Sequence, residues 1–302
     1  MRIMVKQEDG NTGAATLLSF NTLGGSILFS FRRVLPLSFI LFLVLSACGS
    51  QTTSSTTSAS PTAAPVSLTV FAASSLTDSF NEIKTAYHTL HPNVNITYNY
   101  NGSQALEQQL ANGAPGDIFA SADQTNMKKA SDANLVGESQ IFAKNKLVVI
   151  VPTSNPAQLH SLKDLAKPGV KIDVGAPSVP VGKYTLQVLD NLGKSADYGT
   201  DYENSVKANF VSQEDNVKAV VQKVQLGTVD AGFVYLTDVT PATEKQVTKI
   251  AIPDQLNVIA EYPIAVTKSS SHTSDAQAFT QYILSSAGQA VLSKYHFLPP
   301  NP

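Results

Sequence analysis

From Val66 onward the chain alternates short apolar runs with stretches of helical period, and this alternation restricts the fold more than any other feature of the sequence. Ser67-Leu68-Thr69-Val70-Phe71 has the make-up of a buried strand and residues 75–90 that of an amphipathic helix. Val94–Tyr98, a helix over 103–112 closed by Asn112-Gly113, and Asp117–Ala120 complete a βαβαβ unit. The pattern resumes with the strands Leu147–Val151 and Lys171–Val174, helices over 181–192 and 214–226 ended by Gly193 and Gly227, and the strand Ala231–Tyr235. Leu256–Ala260 and Tyr262–Val266 are expected strands, and helices over 274–285 and 287–294 finish the chain. Strands alternating with helices imply parallel sheets covered by helices on both faces. The expected architecture is α/β in two lobes, 66–146 plus 240–302 and 147–239, with a cleft between them.

The first 65 residues read differently. Arg32-Arg33 precedes the apolar run Val34–Val44, which is shorter than the roughly 20 residues a spanning helix needs and has the size of the apolar core of a secretory leader. Leu45-Ser46-Ala47-Cys48 follows and resembles the lipobox of bacterial lipoproteins, in which the cysteine is lipidated and becomes the new N-terminus. Residues 1–47 are thus expected to be a lipoprotein signal peptide, its unusual length explained by a start codon assigned too far upstream. Residues 48–65 are almost all small and polar beyond Cys48, which suits a flexible tether and not a buried thiol. The expected location is outside the cytoplasm, in a periplasm or on the outer face of the cell membrane, with Cys48 as the anchor.

Composition removes several function classes. The chain carries 21 basic and 23 acidic residues, and its three arginines, Arg2, Arg32 and Arg33, all precede Cys48. A net-negative remainder without guanidinium groups does not suit nucleic acid, whose binding depends on neutralising phosphates. A single cysteine excludes a disulfide framework. There is no Gly-x-Ser-x-Gly elbow, Asn101-Gly102-Ser103-Gln104-Ala105 lacking the second glycine, and Gly113-Ala114-Pro115-Gly116 has neither P-loop nor dinucleotide spacing. Among five histidines only His88 and His91 share a helical face, without a third zinc ligand nearby. Asp117 and Asp123 bracket a strand end, where capping or loop bonding is the expected role. No enzyme and no cofactor are expected.

What remains is a set of helix starts, each following a strand. They are Ala72-Ala73-Ser74-Ser75-Leu76-Thr77-Asp78, Asn99-Tyr100-Asn101-Gly102-Ser103, Pro177-Ser178-Val179-Pro180-Val181-Gly182-Lys183 and Ser212-Gln213-Glu214-Asp215-Asn216-Val217. Helix N-termini hold unpaired N–H groups and a partial positive charge, so they bind anions without a cationic side chain. Each has a plainer explanation: Ser75 and Ser103 as N-caps, Val181 and Val217 as core residues, Tyr235 as a core aromatic.

Phe71–Asp78, Gly113–Asp123, Gly232-Phe233-Val234-Tyr235 and Glu261-Tyr262-Pro263-Ile264-Ala265-Val266, in this order and spacing, resemble the molybdate-binding proteins of ABC importers. The resemblance implies a type II periplasmic-binding-protein fold, two α/β lobes joined by a hinge and closing on a tetrahedral oxyanion, molybdate or tungstate. It places ligand-contacting hydroxyls on Ser75, Ser103 and Tyr235 and backbone N–H donors on Val181 and Val217, with no metal site besides the oxyanion contacts. The family often has alanine where Val181 stands, and serines where Gly102 and Gln104 flank Ser103. It further implies a monomer that delivers its ligand to a separate permease and ATPase and meets the membrane only through its lipid. The alternatives are the same fold binding sulfate, phosphate or ferric ion, the last on Tyr98 and Tyr100, and an enzyme using Asp117 or Asp123 as a base.

Overall fold

The computed structural model describes residues 64–300. The leader, Cys48 and all but the last two residues of the tether lie outside the described residues. The elements in chain order are β1 (Val66–Ala73), α1 (Thr77–Leu90), β2 (Val94–Asn101), α2 (Ser103–Ala111), β3 (Ile118–Ala120), α3 (Gln124–Asp132) and β4 (Gln140–Pro152). Next come β5 (Ile172–Gly175), α4 (Pro180–Lys194), α5 (Tyr202–Ala208), β6 (Phe210–Glu214), α6 (Val217–Gln225) and β7 (Ala231–Tyr235). The chain ends with β8 (Val247–Ala251), β9 (Ile259–Val266), α7 (Thr273–Leu284) and α8 (Ser286–Lys294).

The strands form one path, β2-β1-β3-β9-β4-β7-β5-β6, with β8 also paired to β4. β1 runs parallel to both β2 and β3, and β5 runs parallel to both β6 and β7. Each parallel trio is the core of one lobe. Buried side chains on alternate faces of β1 explain the covering helices: Leu68, Val70 and Ala72 belong to one apolar cluster with Phe80 and Phe279, and Phe71 to another with Leu106 and Met127.

The strands joining the lobes are antiparallel, which the expectation of parallel sheets did not include. The first half of β4, to Lys146, pairs with β9, and the second half, from Leu147, pairs with β7 and β8, so one strand passes through both lobes. The sequence suggested a strand only over 147–151 because its first half, Gln-Ile-Phe-Ala-Lys-Asn-Lys, has neither a continuous apolar run nor a strict alternation and is interrupted by a bulge between Ile141 and Ala143. At the crossing point the Asn257 side chain accepts from the Leu147 N–H at 3.2 Å and donates to the Leu147 carbonyl at 2.8 Å, so a side-chain amide takes the place of a strand partner.

β8, which follows residue 239, pairs through Val247–Ala251 with Val148–Pro152 in the second half of β4. Two further sequence expectations need correction. Leu256–Val258 precede β9 as a loop, since Asn257 is engaged with Leu147. The helix expected from residue 214 begins at Val217, because Phe210–Glu214 forms an edge strand whose alternating exposure resembles a polar loop in sequence.

Asp173 on β5 is completely buried. Its Oδ1 accepts from the Val174 N–H at 3.1 Å, whereas Oδ2 has no hydrogen-bond partner among the described residues. Burial first, and then the neighbouring Glu214 carboxylate, push its pKa from 3.8 up to about 7. Glu214, despite its own burial, is drawn below its usual value by Lys223 and Ser212. A carboxyl raised in the folded state supports the fold while protonated, so the Asp173 contribution is complete below pH 3.8 and lost as pH rises through about 7. Asp173→Asn keeps the bond from Val174 and removes the charge. Urea unfolding should find it more stable than wild type at pH 8, with the difference shrinking towards pH 4; a constant difference would refute this.

Candidate functional site

The carboxyl ends of the strands in both lobes face one another, the position where open α/β sheets bind ligands. β1 delivers the turn Ser74–Leu76, β2 the start of α2, β5 the start of α4, β6 the start of α6, and β7 ends on Tyr235. Together they line one small cavity. Ser75, Ser103, Val181, Val217 and Tyr235 all line it, as do Asn101, Gly102 and Ala122. The elements carrying these five residues come from separate parts of the sequence and converge here. Every lining side chain is uncharged.

The helix starts are built so that their N–H groups stay free. Gly102 before α2 and Val179 before α4 make no side-chain capping bond, and Pro180 takes the first position of α4, where its missing N–H costs nothing. Asn216 caps α6 by accepting from the Ala219 N–H at 3.1 Å, which leaves Val217 uncapped. By contrast Asp123 and Ser285 cap α3 and α8, which contribute no helix start to the cavity. The turn before α4 depends on Gly182, where a Cβ would overlap the Gly175 and Ala176 carbonyl oxygens.

The plainer explanations of the serines fail on geometry. Ser103 does not cap its helix: its Oγ accepts from the Ala122 N–H at 2.9 Å, so its own proton is free to donate. Ser75 sits within a 3-10 turn and pairs with the Tyr262 hydroxyl at 2.9 Å. Tyr235 is 1% exposed, yet its hydroxyl has no hydrogen-bond partner among the described residues. Burial holds that hydroxyl well above the usual tyrosine pKa, so it remains a donor at neutral pH. A buried donor left unpaired costs roughly 1–3 kcal/mol, which makes this hydroxyl the most informative atom in the cavity.

Charges surround the cavity without entering it. Burial pushes the Asp238 carboxyl up despite Lys218 Nζ at 3.3 Å, and the same ammonium lies 2.8 Å from Asp78 on α1, so α6 is tied to the opposite lobe. Burial would lower the Lys218 ammonium, but Asp238 and Asp78 outweigh it and hold it above its usual value. Lys183 on α4 reaches across to Asp123 at 3.6 Å and to Thr125. Gln104 on α2 donates to the Asp215 carbonyl at 2.8 Å, and Gly102 lies so near that carbonyl that a Cβ would overlap it. The lysines offset carboxylates, any side chain at position 102 would meet the Asp215 carbonyl, and polar contacts join the two lobes beside the cavity.

Other candidates lie elsewhere. The Tyr98 hydroxyl donates to the Phe80 carbonyl at 2.8 Å and Tyr100 donates to Asn81 at 3.2 Å, so both pack on α1 and neither lines the cavity. Asp123 caps α3, and Asp117 accepts from the Thr69 N–H and the Ser270 hydroxyl. His88 bonds the Val94 carbonyl, and His91 stacks on Tyr87. Among the described residues no group of three or more His, Cys, Asp or Glu is placed to hold a metal ion.

Comparison with known proteins gives this geometry its context. The molybdate-binding protein ModA of Mycobacterium tuberculosis is 35% identical over 257 residues, covering 85% of this chain and 93% of that protein. The fold is shared with the periplasmic molybdate-binding protein of Azotobacter vinelandii, at TM-score 0.67, 21% identity and 78% and 100% coverage of the two chains. It is also shared with the sulfate-binding protein SubI of Mycobacterium tuberculosis, at TM-score 0.70, 19% identity and 78% and 88% coverage. The model of the bacterial extracellular solute-binding protein family matches residues 68–298, so this chain, with its two lobes closed on a small cavity, belongs to that family and has its type II fold.

Proposed function

We propose that this protein captures molybdate, and tungstate with it, outside the cytoplasm and delivers it to an ABC importer. The observation that carries the proposal is the buried Tyr235 hydroxyl, without a partner among the described residues, at a small cavity lined by neutral donors and by no charged side chain. Ser75, Ser103 and Tyr235 donate through hydroxyls and Val181 and Val217 through backbone N–H groups. Each charge-assisted bond contributes about 1.5–3 kcal/mol towards the cost of stripping water from a dianion. The relative from Mycobacterium tuberculosis, named for molybdate, supports the same ligand.

Donors alone select for a fully deprotonated anion, since the proton of hydrogen phosphate would meet a donor and find no acceptor. Sulfate carries the same charge as molybdate and must be refused by size. The partners of such a protein are a permease and its ATPase, the anchor is a lipid on Cys48, and the working unit is a monomer. The lobes meet along β4 and β9, with 66–146 and the C-terminal helices on one side.

Calorimetric titration of the mature chain with molybdate, tungstate, sulfate and phosphate tests the proposal. Tight binding of the first two and none of the others is expected; binding of sulfate alone, or of none, would overturn it. Because no lining group titrates near neutrality, the affinity should also be nearly constant from pH 6.5 to 9. A tenfold change across that range would reveal a titrating contact.

A further inference from the structure

Behind Ser75 lies a buried chain of polar groups outside the cavity wall. Asn145 on β4 and Tyr262 on β9 are both 0% exposed, and neither lines the cavity. The orientation of the Asn145 amide follows from a partner that can only donate: the Lys146 N–H bonds Oδ1 at 2.9 Å, so Nδ2 is the atom facing the interior. That Nδ2 donates to Thr237 Oγ1 at 2.8 Å and to the Tyr262 hydroxyl at 3.2 Å. The remaining partner of Tyr262 is Ser75 Oγ at 2.9 Å. With its oxygen already accepting from Asn145, the Tyr262 proton has Ser75 Oγ as its acceptor; the reverse direction would leave a phenolic O–H buried and unpaired. Burial keeps the Tyr262 hydroxyl protonated far beyond neutral pH.

We infer that Tyr262 is a positioning residue which, oriented by Asn145, donates to Ser75 and so commits the Ser75 proton to the cavity, making this contact a donor that discriminates against protonated oxyanions. Ser103 is committed in the same sense by a backbone group, the Ala122 N–H, and its polarity is inherent in the fold. At Ser75 the polarity is set by a side chain and can be removed by one substitution. The inference rests on the oxyanion reading proposed above.

Four proteins test it: wild type, Tyr262→Phe, Ser75→Ala and the double variant, each titrated with whichever of molybdate, sulfate and phosphate the wild type binds, and then with phosphate at pH 7. Tyr262→Phe should weaken binding about tenfold, Ser75→Ala at least as much, and the double variant no more than Ser75→Ala alone, because Tyr262 acts through Ser75. Tyr262→Phe also leaves a free lone pair on Ser75, so the preference for the fully deprotonated oxyanion over hydrogen phosphate should fall about tenfold. A merely structural role would weaken both anions alike and give losses that multiply in the double variant; either result overturns the inference, as does wild-type affinity in Tyr262→Phe. If Tyr262→Phe does not fold, Asn145→Leu removes the donor that orients Tyr262 and should narrow the same preference. Failure of the wild type to bind any of the three anions would overturn the functional proposal and this inference together, whereas binding with multiplying losses would overturn this inference alone.

Discussion

Gly102→Ala should weaken oxyanion binding by about 100-fold or more and leave the stability of the ligand-free protein unchanged. Gly102 has φ −62° and ψ 141°, an extended conformation that alanine adopts without strain, and the one local overlap is with the far end of the flexible Gln104 side chain, which can swing aside. The obstacle is across the cleft, where the new Cβ would overlap the Asp215 carbonyl oxygen next to the start of α6. That backbone atom cannot turn aside as a side chain would, so the lobes would stop short of contact. The anion would then bond to only one set of donors. Losing two or more charge-assisted bonds of about 1.5–3 kcal/mol each gives a loss of 100-fold or greater. Titration measures the affinity, and small-angle scattering with and without ligand measures closure. Wild-type affinity in this variant would mean that the cleft closes in a different register from the one described.

Tyr235→Phe comes next, with a loss of about 10- to 100-fold from one charge-assisted bond. Its diagnostic feature is an absence of structural cost. The hydroxyl has no partner among the described residues, so removing it breaks no bond within the protein, and thermal melting without ligand should stay constant or rise. Ser103→Ala provides the contrast. It too removes one donor to the ligand, but it also strips the Ala122 N–H of its acceptor, and a buried orphan of that kind costs about 1–3 kcal/mol. The tyrosine variant should therefore lose affinity alone, and the serine variant affinity and stability together. Equal loss of stability in both would show that Tyr235 has a structural partner.

Much of the fold is legible in the sequence because βα units are local. Helices such as α1, α4 and α6 announce themselves by period and by their starts, and the buried strands β1 and β7 by runs of apolar residues. What escapes is non-local or polar. The first half of β4 is half-exposed and β6 is an edge strand, so neither carries a continuous apolar run. β8 has ordinary strand residues, and its attachment to β4 depends on a pairing almost one hundred residues distant.

The five candidate residues follow from motifs, and the structure gathers all of them around one cavity. Their hydrogen-bonding directions are another matter. Nothing in the string Asn101-Gly102-Ser103-Gln104 says that Ser103 accepts from Ala122, or that Gly102 must lack a side chain because Asp215 approaches from the other lobe. Tyr262 lies in a recognisable string, but its link to Ser75 spans 187 positions.

By itself the sequence determined the class of fold, the absence of arginine beyond Cys48, and the helix starts able to face an anion. These depend on composition and on residues within a few positions of one another. The tertiary structure alone decided which protons point into the cavity, which lysines offset buried carboxylates, and how near the lobes approach. Those properties depend on the few ångströms between atoms of distant segments, and hydrogen-bond polarity and steric overlap change sign over that distance.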